Sequence, residues 1–538
     1  MAILRTSAEA FPSSRRVTGE IPYVLRVEFR GLSDDTSKIV GKPIACSKCN
    51  GFLISIDQIQ EDKKIGKYFV CAFCGTLNVI QGDVVVASEE TEFVLEPAPK
   101  TMPSETKPPV GAGSILAVID VSGSMSGANL AAVKRSLMNT LDSLAANAPD
   151  TVFGMVEFES TVVIRDLSTG NGIEIPRESF ASYDAIVKCT QSALDRVKMV
   201  RVGSNISAIK QHVKALTDKG GTALGPAMVT ALTLAKHRNI NRVILLTDGL
   251  ANEGIGALEG YQVVPPGEFY LDIGKKFLEA GAIVDVVGIA SGAGMELKTL
   301  GQMPETTGGQ MYYVTPNELD RSISELAGAT LLGRNVEVRL VVPKGVKIKD
   351  ASGVSQLAVQ QLVAEAAGNI GAVGDNHELY IEVEPEREIQ QEEVPIQVQI
   401  AYTDEDGSRR VRAVTRKLRV ARTEKELIET LDPTIGATFV TQKAGEVAFR
   451  GDIKGGRSRI AEFRAAMSSK VRSAPSKLQS QIAEVDRVLA SEEKKMENRE
   501  QMIAAAPKAA SVAADQVSTE NIRQARKSSK ELFENEQV

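Results

Sequence analysis

The sequence predicts a multidomain α/β protein with a Rossmann-like, doubly wound domain at its centre. Between residues 114 and 330, short apolar runs alternate with helical patterns, which is typical of a parallel sheet covered by helices. After residue 330, apolar and polar residues alternate with a period of two, which predicts antiparallel strands and a β-sandwich. A chain of 538 residues is long enough for several domains of roughly 100–200 residues each.

The elements of the central region follow from runs of apolar residues and from helical spacing. The strand-like runs are 114–120, 151–158, 162–164, 242–248 and 282–290. The helical patterns include 128–145, 223–237 and 272–280. Their alternation predicts one domain over 114–330.

The flanking regions have different patterns. Residues 1–39 form a leader with a strand at 21–29 that we expect to join the sandwich, and prolines make 93–113 a linker. The remaining predicted units are a cysteine module at 40–92, the β-sandwich at 331–422, a helical region at 423–506, and a tail at 507–538 that is either helical or disordered. The apolar stripe of 478–503 fits a core or a helical hairpin better than a groove for a partner.

Composition excludes several classes of function. The net charge is −6, tryptophan is absent and aromatic residues make up only 4%, so we expect no nucleic-acid partner. The first residues lack the apolar core of a signal peptide, and no run approaches the ~18–20 apolar residues of a membrane span. We therefore expect a cytoplasmic protein without a transmembrane segment. The three histidines are scattered, which argues against a histidine-based catalytic triad.

Small oxygen-bearing side chains follow the first strand of the central domain. Asp120, Ser122 and Ser124 lie just past the strand, Thr222 lies in a glycine-rich loop before a helix, and Asp248 ends the strand 242–248. The carboxyl ends of parallel strands meet at the crevice where such sheets bind ligands. Two carboxylates and three hydroxyls suit Mg²⁺ or Mn²⁺, although the same residues also occur in turns that bind no metal.

These five positions, in this order and on this strand–helix pattern, resemble the metal-ion-dependent adhesion site (MIDAS) of von Willebrand factor A (VWA) domains. The resemblance implies that Ser122, Ser124 and Thr222 bind the metal directly, and that Asp120 and Asp248 hold coordinating waters and orient the hydroxyls. The stretch between VVIRDL and GGT is longer than in compact members of the family. We expect this stretch to form a rim to the site.

A site of this kind predicts recognition of a protein partner. Hydroxyl ligands are neutral, so the side chains supply at most two negative charges and leave room for another ligand. An Asp or Glu of a partner completes the coordination. The leading hypothesis is a cytosolic scaffold or adaptor that binds an acidic residue of a protein through Mg²⁺.

Four of the five cysteines form two Cys-x-x-Cys pairs. Cys46, Cys49, Cys71 and Cys74 have the spacing of a zinc ribbon, in which four thiolates bind Zn²⁺ tetrahedrally. With four cysteine ligands no position stays open for catalysis, so the predicted zinc is structural. Cys189 is unpaired, and we interpret it as a small apolar residue.

A zinc ribbon before a VWA domain, with a β-sandwich and helices after it, is similar to the inner-coat subunits of COPII vesicles. The chain is shorter than those subunits and has no recognisable gelsolin-like domain. It also keeps the complete metal motif, which the coat proteins commonly lack. The resemblance implies an alternative function, a vesicle-coat component in protein trafficking that contacts other coat proteins or a small GTPase.

Enzymatic activity is the least favoured hypothesis. The chain has no Gly-x-x-x-x-Gly-Lys-Ser/Thr phosphate loop, and no base or nucleophile is evident near the predicted metal site. Glu157, Glu159 and Glu253 lie at strand ends or loops that border the site, but acidic residues there are more often solvated surface. We predict no catalytic residue; a metal-assisted hydrolase and the regulatory partner of an ATPase rank last.

Overall fold

The protein has a mixed α/β fold with several sheets, as the sequence predicts. The computed structural model describes residues 3–34, 36–81, 86, 89–97, 113–248, 251–258, 262–289, 297–317, 319–328, 331–375, 377–404, 406–449, 452–470 and 474–505. Four sheets lie within these ranges, and helices cover the largest. The predicted tail and most of the proline-rich linker lie outside the described residues.

An eight-stranded sheet forms the centre of the predicted VWA region. Its strand order is Gly172–Ile175, Val162–Arg165, Val152–Phe158, Ser114–Asp120, Arg242–Thr247, Ile283–Ile289 and Met311–Val314, and Val200–Arg201 pairs with Val152–Phe158. The strands from Val152–Phe158 to Met311–Val314 in this order run parallel to one another. Their carboxyl ends therefore meet at one edge, where the predicted site residues lie.

Helices cover both faces of this sheet. They are Ala128–Asn147, Tyr183–Ala193, Val202–Ala215, Leu224–Arg238, Pro266–Glu279, Leu297–Leu300, Gln302–Thr307 and Leu319–Gly328. Alternate residues of the strand Ser114–Asp120 face opposite cores. Ile119 packs in the core that contains Leu137, and Val118 packs in the core that contains Leu232. The sheet is thus doubly wound. One helix begins at Pro266 rather than at the predicted residue 272, and proline is favoured in a first helical turn because its missing N–H needs no partner there.

Two further sheets pack face to face as a β-sandwich. One contains Leu4–Thr6, Val24–Glu28, Glu378–Pro385 and Val346–Ser352. The other contains Ala367–Gly374, Leu331–Val341, Glu393–Thr403, Arg409–Ala421, Glu90–Glu96 and Lys38–Val40, with Phe11–Pro12 beside Arg409–Ala421. Residues of both sheets, such as Val27 and Val398, share one core.

The leader and part of the predicted linker belong to these sheets. The predicted strand at 21–29 is present as Val24–Glu28, next to Glu378–Pro385. The strand Glu90–Glu96 extends into the region predicted as linker. It pairs with Arg409–Ala421, and Phe93 within it is buried, which favours a strand over an exposed linker there. The structure also contains the strands Val346–Ser352 and Ala367–Gly374 and the helix Gln356–Glu365, none of which we predicted.

The cysteine module is a small three-stranded sheet that docks on the sandwich. Its strands are Ile59–Asp62, Gly66–Val70 and Leu77–Val79. Gln397 of the sandwich accepts a hydrogen bond from the backbone N–H of Phe52, and Gln399 donates one to the carbonyl of Asn50. The module is therefore anchored to the seven-stranded sheet by buried glutamines.

The last described region is a set of helices that share one core. They are Glu424–Ile428, Pro433–Phe449, Ile453–Lys470 and Ser476–Ala505. The apolar stripe predicted at 478–503 is used as core, since Leu478, Ile482, Val485 and Leu489 are buried against the neighbouring helices. Within the described part of the chain, no helix is both long enough and apolar enough to span a membrane.

Candidate metal centres

The first candidate site lies at the carboxyl end of the central strand. The strand Ser114–Asp120 is buried along its whole length, and the chain then turns into the short 3₁₀ helix Gly123–Met125 before the helix Ala128–Asn147. This turn places the side chains of Asp120, Ser122 and Ser124 beside the end of the neighbouring strand Arg242–Thr247. Sheet topology thus explains why residues distant in sequence meet here.

Four of the five predicted site residues are linked by short contacts. The hydroxyl oxygens of Ser122 and Ser124 lie 3.1 Å apart, and the Ser124 hydroxyl donates a hydrogen bond of 2.7 Å to Oδ1 of Asp248. Oδ1 of Asp120 accepts a hydrogen bond of 2.8 Å from the backbone N–H of Ser122. The structure therefore brings Asp120, Ser122, Ser124 and Asp248 together.

Thr222, the fifth predicted residue, lies in a loop that packs against the serine turn. The backbone N–H of Gly123 donates to the carbonyl of Gly220, and that of Lys219 donates to the carbonyl of Val121. Thr222 itself is buried. The loop that carries this threonine is thus attached directly to the turn that carries the two serines.

The oxygen spacing fits a small divalent cation. Adjacent ligands of an octahedral Mg²⁺ at about 2.0–2.1 Å lie about 2.9 Å from each other. The hydroxyl oxygens of Ser122 and Ser124, both predicted direct ligands, lie 3.1 Å apart, which is close to that value. The 2.7 Å hydrogen bond from Ser124 to Asp248 fits the predicted role of Asp248, which is to orient a hydroxyl ligand. Ser124 is exposed while Asp120, Ser122 and Asp248 are buried, so a cation held here would be reachable from solvent on the Ser124 side.

The electrostatics of Asp120 also suit a cation. Burial, together with the nearby charge of Asp248, raises the pKa of Asp120 to about 6, against hydrogen bonds from Ser122 and Thr247 that lower it. A buried carboxylate of this kind is stabilised in its charged form by an adjacent positive ion. The side chains present would hold Mg²⁺ or Mn²⁺, which would supply an electrophilic point for an acidic ligand.

Sequence reasoning missed residues that orient the predicted ligands. Nδ2 of Asn129, in the first turn of the helix Ala128–Asn147, donates a hydrogen bond of 2.8 Å to Oδ2 of Asp248. The hydroxyl of Thr247 donates to Oδ2 of Asp120. The sequence gives no signal for either role, because both depend on contacts made across the edge of the sheet.

The three glutamates that we considered near the site have different surroundings. Glu157 forms a bidentate ion pair with Arg165, at 2.9 and 2.6 Å, so both of its carboxylate oxygens already have a partner. Glu159 and Glu253 border the Thr222 loop: Glu159 lies near Lys219, and Glu253 accepts a hydrogen bond from Ser160. The interpretation of these two as solvated surface is therefore too simple, since both are largely buried.

The second candidate site is the cysteine cluster. The sulfur atoms of Cys46, Cys49, Cys71 and Cys74 all lie within 4.8 Å of one another. Among the described residues, these four cysteines form a group whose ligand atoms are close enough together to share one metal ion. The structure thus brings all four predicted cysteines together.

The sulfur spacing fits zinc. Thiolates bound tetrahedrally at about 2.3 Å lie about 3.8 Å apart. The sulfurs of Cys46 and Cys74 are 3.6 Å apart, and those of Cys49 and Cys71 are 3.5 Å apart. Burial raises the pKa of Cys46, but backbone N–H groups and the Asn78 amide lower it to about 6, whereas burial and neighbouring thiols raise the pKa of Cys49 and of Cys71. Cys46 is therefore the thiol of these three that ionises most readily. The cluster would hold Zn²⁺ as a structural clip.

The fifth cysteine stands apart from this cluster. Cys189 lies in the helix Tyr183–Ala193 and is half-buried at the border of a core of the central domain, rather than fully inside it.

Comparison with known proteins identifies the central domain. Residues 115–327 match the family model of the Sec23/Sec24 trunk domain. The trunk domain therefore coincides with the doubly wound sheet, its helices and the predicted cation site. The match does not extend to the sandwich or to the cysteine module.

A curated relative matches a larger part of the chain. Circularly permutated Ras protein 1 of Dictyostelium discoideum is 25% identical over 478 residues, which cover 82% of this chain and 56% of that protein. The chain thus spans about half the length of that relative.

The fold over most of the chain is shared with one solved structure, and a second has a lower similarity. The human COPII-coat protein Sec24c superposes with a TM-score of 0.63 at 14% identity, covering 87% of this chain and 68% of that chain. The von Willebrand factor type A protein of Catenulispora acidiphila has a TM-score of 0.45 at 20% identity, covering 70% of this chain and 83% of that chain. The predicted resemblance of architecture to COPII inner-coat subunits is confirmed.

Proposed function

We propose that this chain is a non-enzymatic, coat-type scaffold that acts on vesicle membranes with a small GTPase as partner. The observation that carries the proposal is the trunk domain at 115–327 within a Sec24c-like fold that covers 87% of the chain. The comparisons support this reading better than the cytosolic adaptor that the sequence favours first.

The packing of the trunk domain suits a scaffold. Nε2 of His377, in the sandwich, lies 2.9 Å from the carbonyl oxygen of Gly308 in the trunk domain, and Leu278 packs against Gly371. Polar and apolar contacts thus join the two regions directly. Direct contacts of this kind suit a scaffold that presents surfaces of both regions to partners.

A small GTPase as partner is supported by analogy with coat proteins, and the Dictyostelium relative is itself named as a Ras protein. Cytoplasmic location is part of the same proposal.

The test is recruitment to membranes controlled by guanine nucleotide. Purified tagged chain is incubated with membranes and cytosol from the cells that express it, with either a non-hydrolysable GTP analogue or GDP, and the membranes are floated on a density gradient. We expect more chain on the floated membranes with the GTP analogue. Equal recovery with both nucleotides would overturn the coat proposal.

A second function, cation-dependent recognition of an acidic partner, is supported by the oxygen spacing around Ser124. The 3.1 Å between the hydroxyl oxygens of Ser122 and Ser124 matches neighbouring ligands of an octahedral ion, Asp248 accepts a hydrogen bond from Ser124, and Ser124 is exposed. An Asp or Glu of a partner protein would take the position that these side chains leave open.

This second function is tested by capturing partners twice from the same lysate, with Mg²⁺ and with EDTA, and comparing the proteins by mass spectrometry. We expect partners that are retained with Mg²⁺ and lost with EDTA, and that Ser122→Ala does not capture. Partners that bind Ser122→Ala as well as the wild type would exclude the cation site as their docking point.

A further inference from the structure

The loop that carries Thr222 is bound by a series of linked side-chain hydrogen bonds that extends to the protein surface. The backbone N–H of Gly221 donates a hydrogen bond of 2.6 Å to the hydroxyl oxygen of Ser160. That hydroxyl donates one of 2.7 Å to Oε1 of Glu253. Oε2 of Glu253 accepts one of 2.7 Å from the exposed guanidinium of Arg177.

Further bonds fix the residues on either side of Gly221. The backbone N–H of Thr222 donates to Oδ1 of Asn252 at 2.9 Å, and the Thr222 carbonyl accepts from the backbone N–H of Asn252 at 3.1 Å. The N–H of Ala223 donates to the carbonyl of Glu159 at 2.7 Å. Three successive N–H groups are thus bound, and Ser160 is the one side-chain hydroxyl among their acceptors.

The loop has little freedom to find another arrangement. Gly220 has a φ of +74°, and a Cβ placed there would lie 1.9 Å from Oε2 of Glu159. On its other face the loop is bonded to the serine turn through Gly123 and Gly220. A shift of the Gly221 backbone would therefore move Thr222 relative to Ser122 and Ser124.

We propose that Ser160 is a positioning residue for the cation site, and that Glu253 fixes the orientation of the Ser160 hydroxyl. The proposal rests on the cation-dependent recognition proposed above. Ser160 does not contact the predicted ligands Ser122, Ser124 or Asp248 in any hydrogen bond of the described residues. It acts through Gly221, which precedes Thr222.

The hydrogen bonds of this series should contribute unequally to the position of Thr222, because the outer end at Arg177 is exposed. Arg177 has a side chain that is 64% exposed, so its ion pair with Glu253 is screened by solvent. Ser160 is only partly exposed and satisfies a backbone donor, which makes its loss more costly than that of a solvated ion pair. We therefore expect the hydroxyl of Ser160, and not the charge of Glu253, to determine how well Thr222 is placed.

The test measures binding of Mn²⁺ alone to the full chain, with its zinc retained, by the electron paramagnetic resonance signal of the free ion. Ser160→Ala should weaken Mn²⁺ binding by about fivefold, the effect of one lost hydrogen bond. Ser160→Thr keeps a hydroxyl and should restore binding. Glu253→Gln keeps an acceptor for Ser160 and should change binding by less than about twofold, since the ion pair that it removes is screened on the exposed Arg177 side.

Ser192→Ala is the matched control, because its exposed hydroxyl bonds only the carbonyl of Cys189 in its own helix. The melting temperature of each variant is measured without Mn²⁺ to confirm that it remains folded at the temperature of the titration, and a positioning role requires that Ser160→Ala and Ser160→Thr then bind Mn²⁺ differently. If Ser160→Ala binds Mn²⁺ like the wild type, or if Ser160→Thr binds as weakly as Ser160→Ala, the positioning role is wrong. If the wild type itself binds no Mn²⁺, the proposed cation site fails instead.

Discussion

The hydroxyl of Ser124 donates a hydrogen bond of 2.7 Å to Oδ1 of Asp248, although the two residues are 124 positions apart in the sequence. The contact joins the turn after one strand to the end of the next strand in the sheet. Together with the hydrogen bond from Thr247 to Asp120, it links the two halves of the predicted cation site. Ser124 is also exposed, so it can be changed with little effect on the core.

Ser124→Ala should abolish most cation binding without unfolding the trunk domain. The change removes one neutral oxygen ligand and leaves the buried carboxylates in place. We expect Mn²⁺ affinity to fall by at least about tenfold, because even second-shell partners of a metal contribute about 10–100-fold. Calorimetric titration of Mn²⁺ into the full chain measures this.

Ser126→Ala is the control for this prediction. Ser126 lies two residues further along the same turn and is equally exposed, but it is not among the predicted ligands. The two variants should have the same melting temperature and differ in cation affinity. Equal affinity in both would remove Ser124 from the site.

Much of this site could be predicted because the central strand has an unambiguous pattern. The run 114–120 is apolar up to Asp120 and is bounded by a glycine and a serine turn, and the structure has the strand over the same residues. Once parallel strands are predicted, their carboxyl ends must share one edge, so Asp120 and Asp248 are expected to be neighbours. Asn129 and Ser160 could not be predicted in this way, because their roles depend on tertiary contacts across the edge.

The sandwich was only partly predictable for a related reason. The strand Ala367–Gly374 has the sequence AGNIGAVG, whose glycines and small residues carry no alternating pattern, and tertiary pairing with Leu331–Val341 makes it a strand. The strand Glu90–Glu96 borders a run of prolines, which concealed its end. Pairing with Arg409–Ala421 decides both its register and its burial.

Cys71→Ser should remove the zinc from the cysteine cluster. Cys71 is buried and its sulfur lies 3.5 Å from that of Cys49, so an oxygen at this position would replace one of four thiolate ligands. We expect the wild type to contain about one zinc per chain and the variant to contain much less. Elemental analysis of the purified proteins by mass spectrometry gives the metal content directly.

Cys189→Ser provides the comparison for the zinc prediction, since Cys189 lies in the trunk domain and outside the cluster. It should retain the zinc content of the wild type. Limited proteolysis should cut Cys71→Ser, but not Cys189→Ser, within residues 40–81, because the module has a small core that depends on the metal. A zinc-free wild type that resists proteolysis equally well would contradict the structural role.

Gln397→Ala should loosen the attachment of the cysteine module to the sandwich while leaving its zinc in place. The side chain of Gln397 is fully buried; its Oε1 accepts a hydrogen bond of 2.8 Å from Phe52, and its Nε2 donates one of 2.9 Å to Thr415. Leaving these buried groups without partners should lower the free energy of unfolding by about 1–3 kcal/mol. Urea denaturation measures the loss, with Gln391→Ala, an exposed glutamine on the same sandwich, as the control. No difference between the two variants would show that this contact does not hold the module.

Arg412→Leu should be the most destabilising of the changes considered. Arg412 is a buried cation that lies 3.6 Å from the equally buried Glu92, and it also donates hydrogen bonds to the carbonyls of Leu32 and Asp34. Its removal leaves Glu92 with less compensation in a low-dielectric interior. We expect a loss of about 3–5 kcal/mol in the free energy of unfolding.

Two further variants show whether the uncompensated charge of Glu92 causes the loss of stability in Arg412→Leu. Arg416→Leu changes an exposed arginine of the same strand and should alter stability by no more than about 0.5 kcal/mol. Adding Glu92→Gln to Arg412→Leu should recover part of the loss, because the buried group that remains is then neutral. If the double variant is no more stable than Arg412→Leu, the lost packing and carbonyl contacts of the guanidinium explain the effect, and the charge of Glu92 does not.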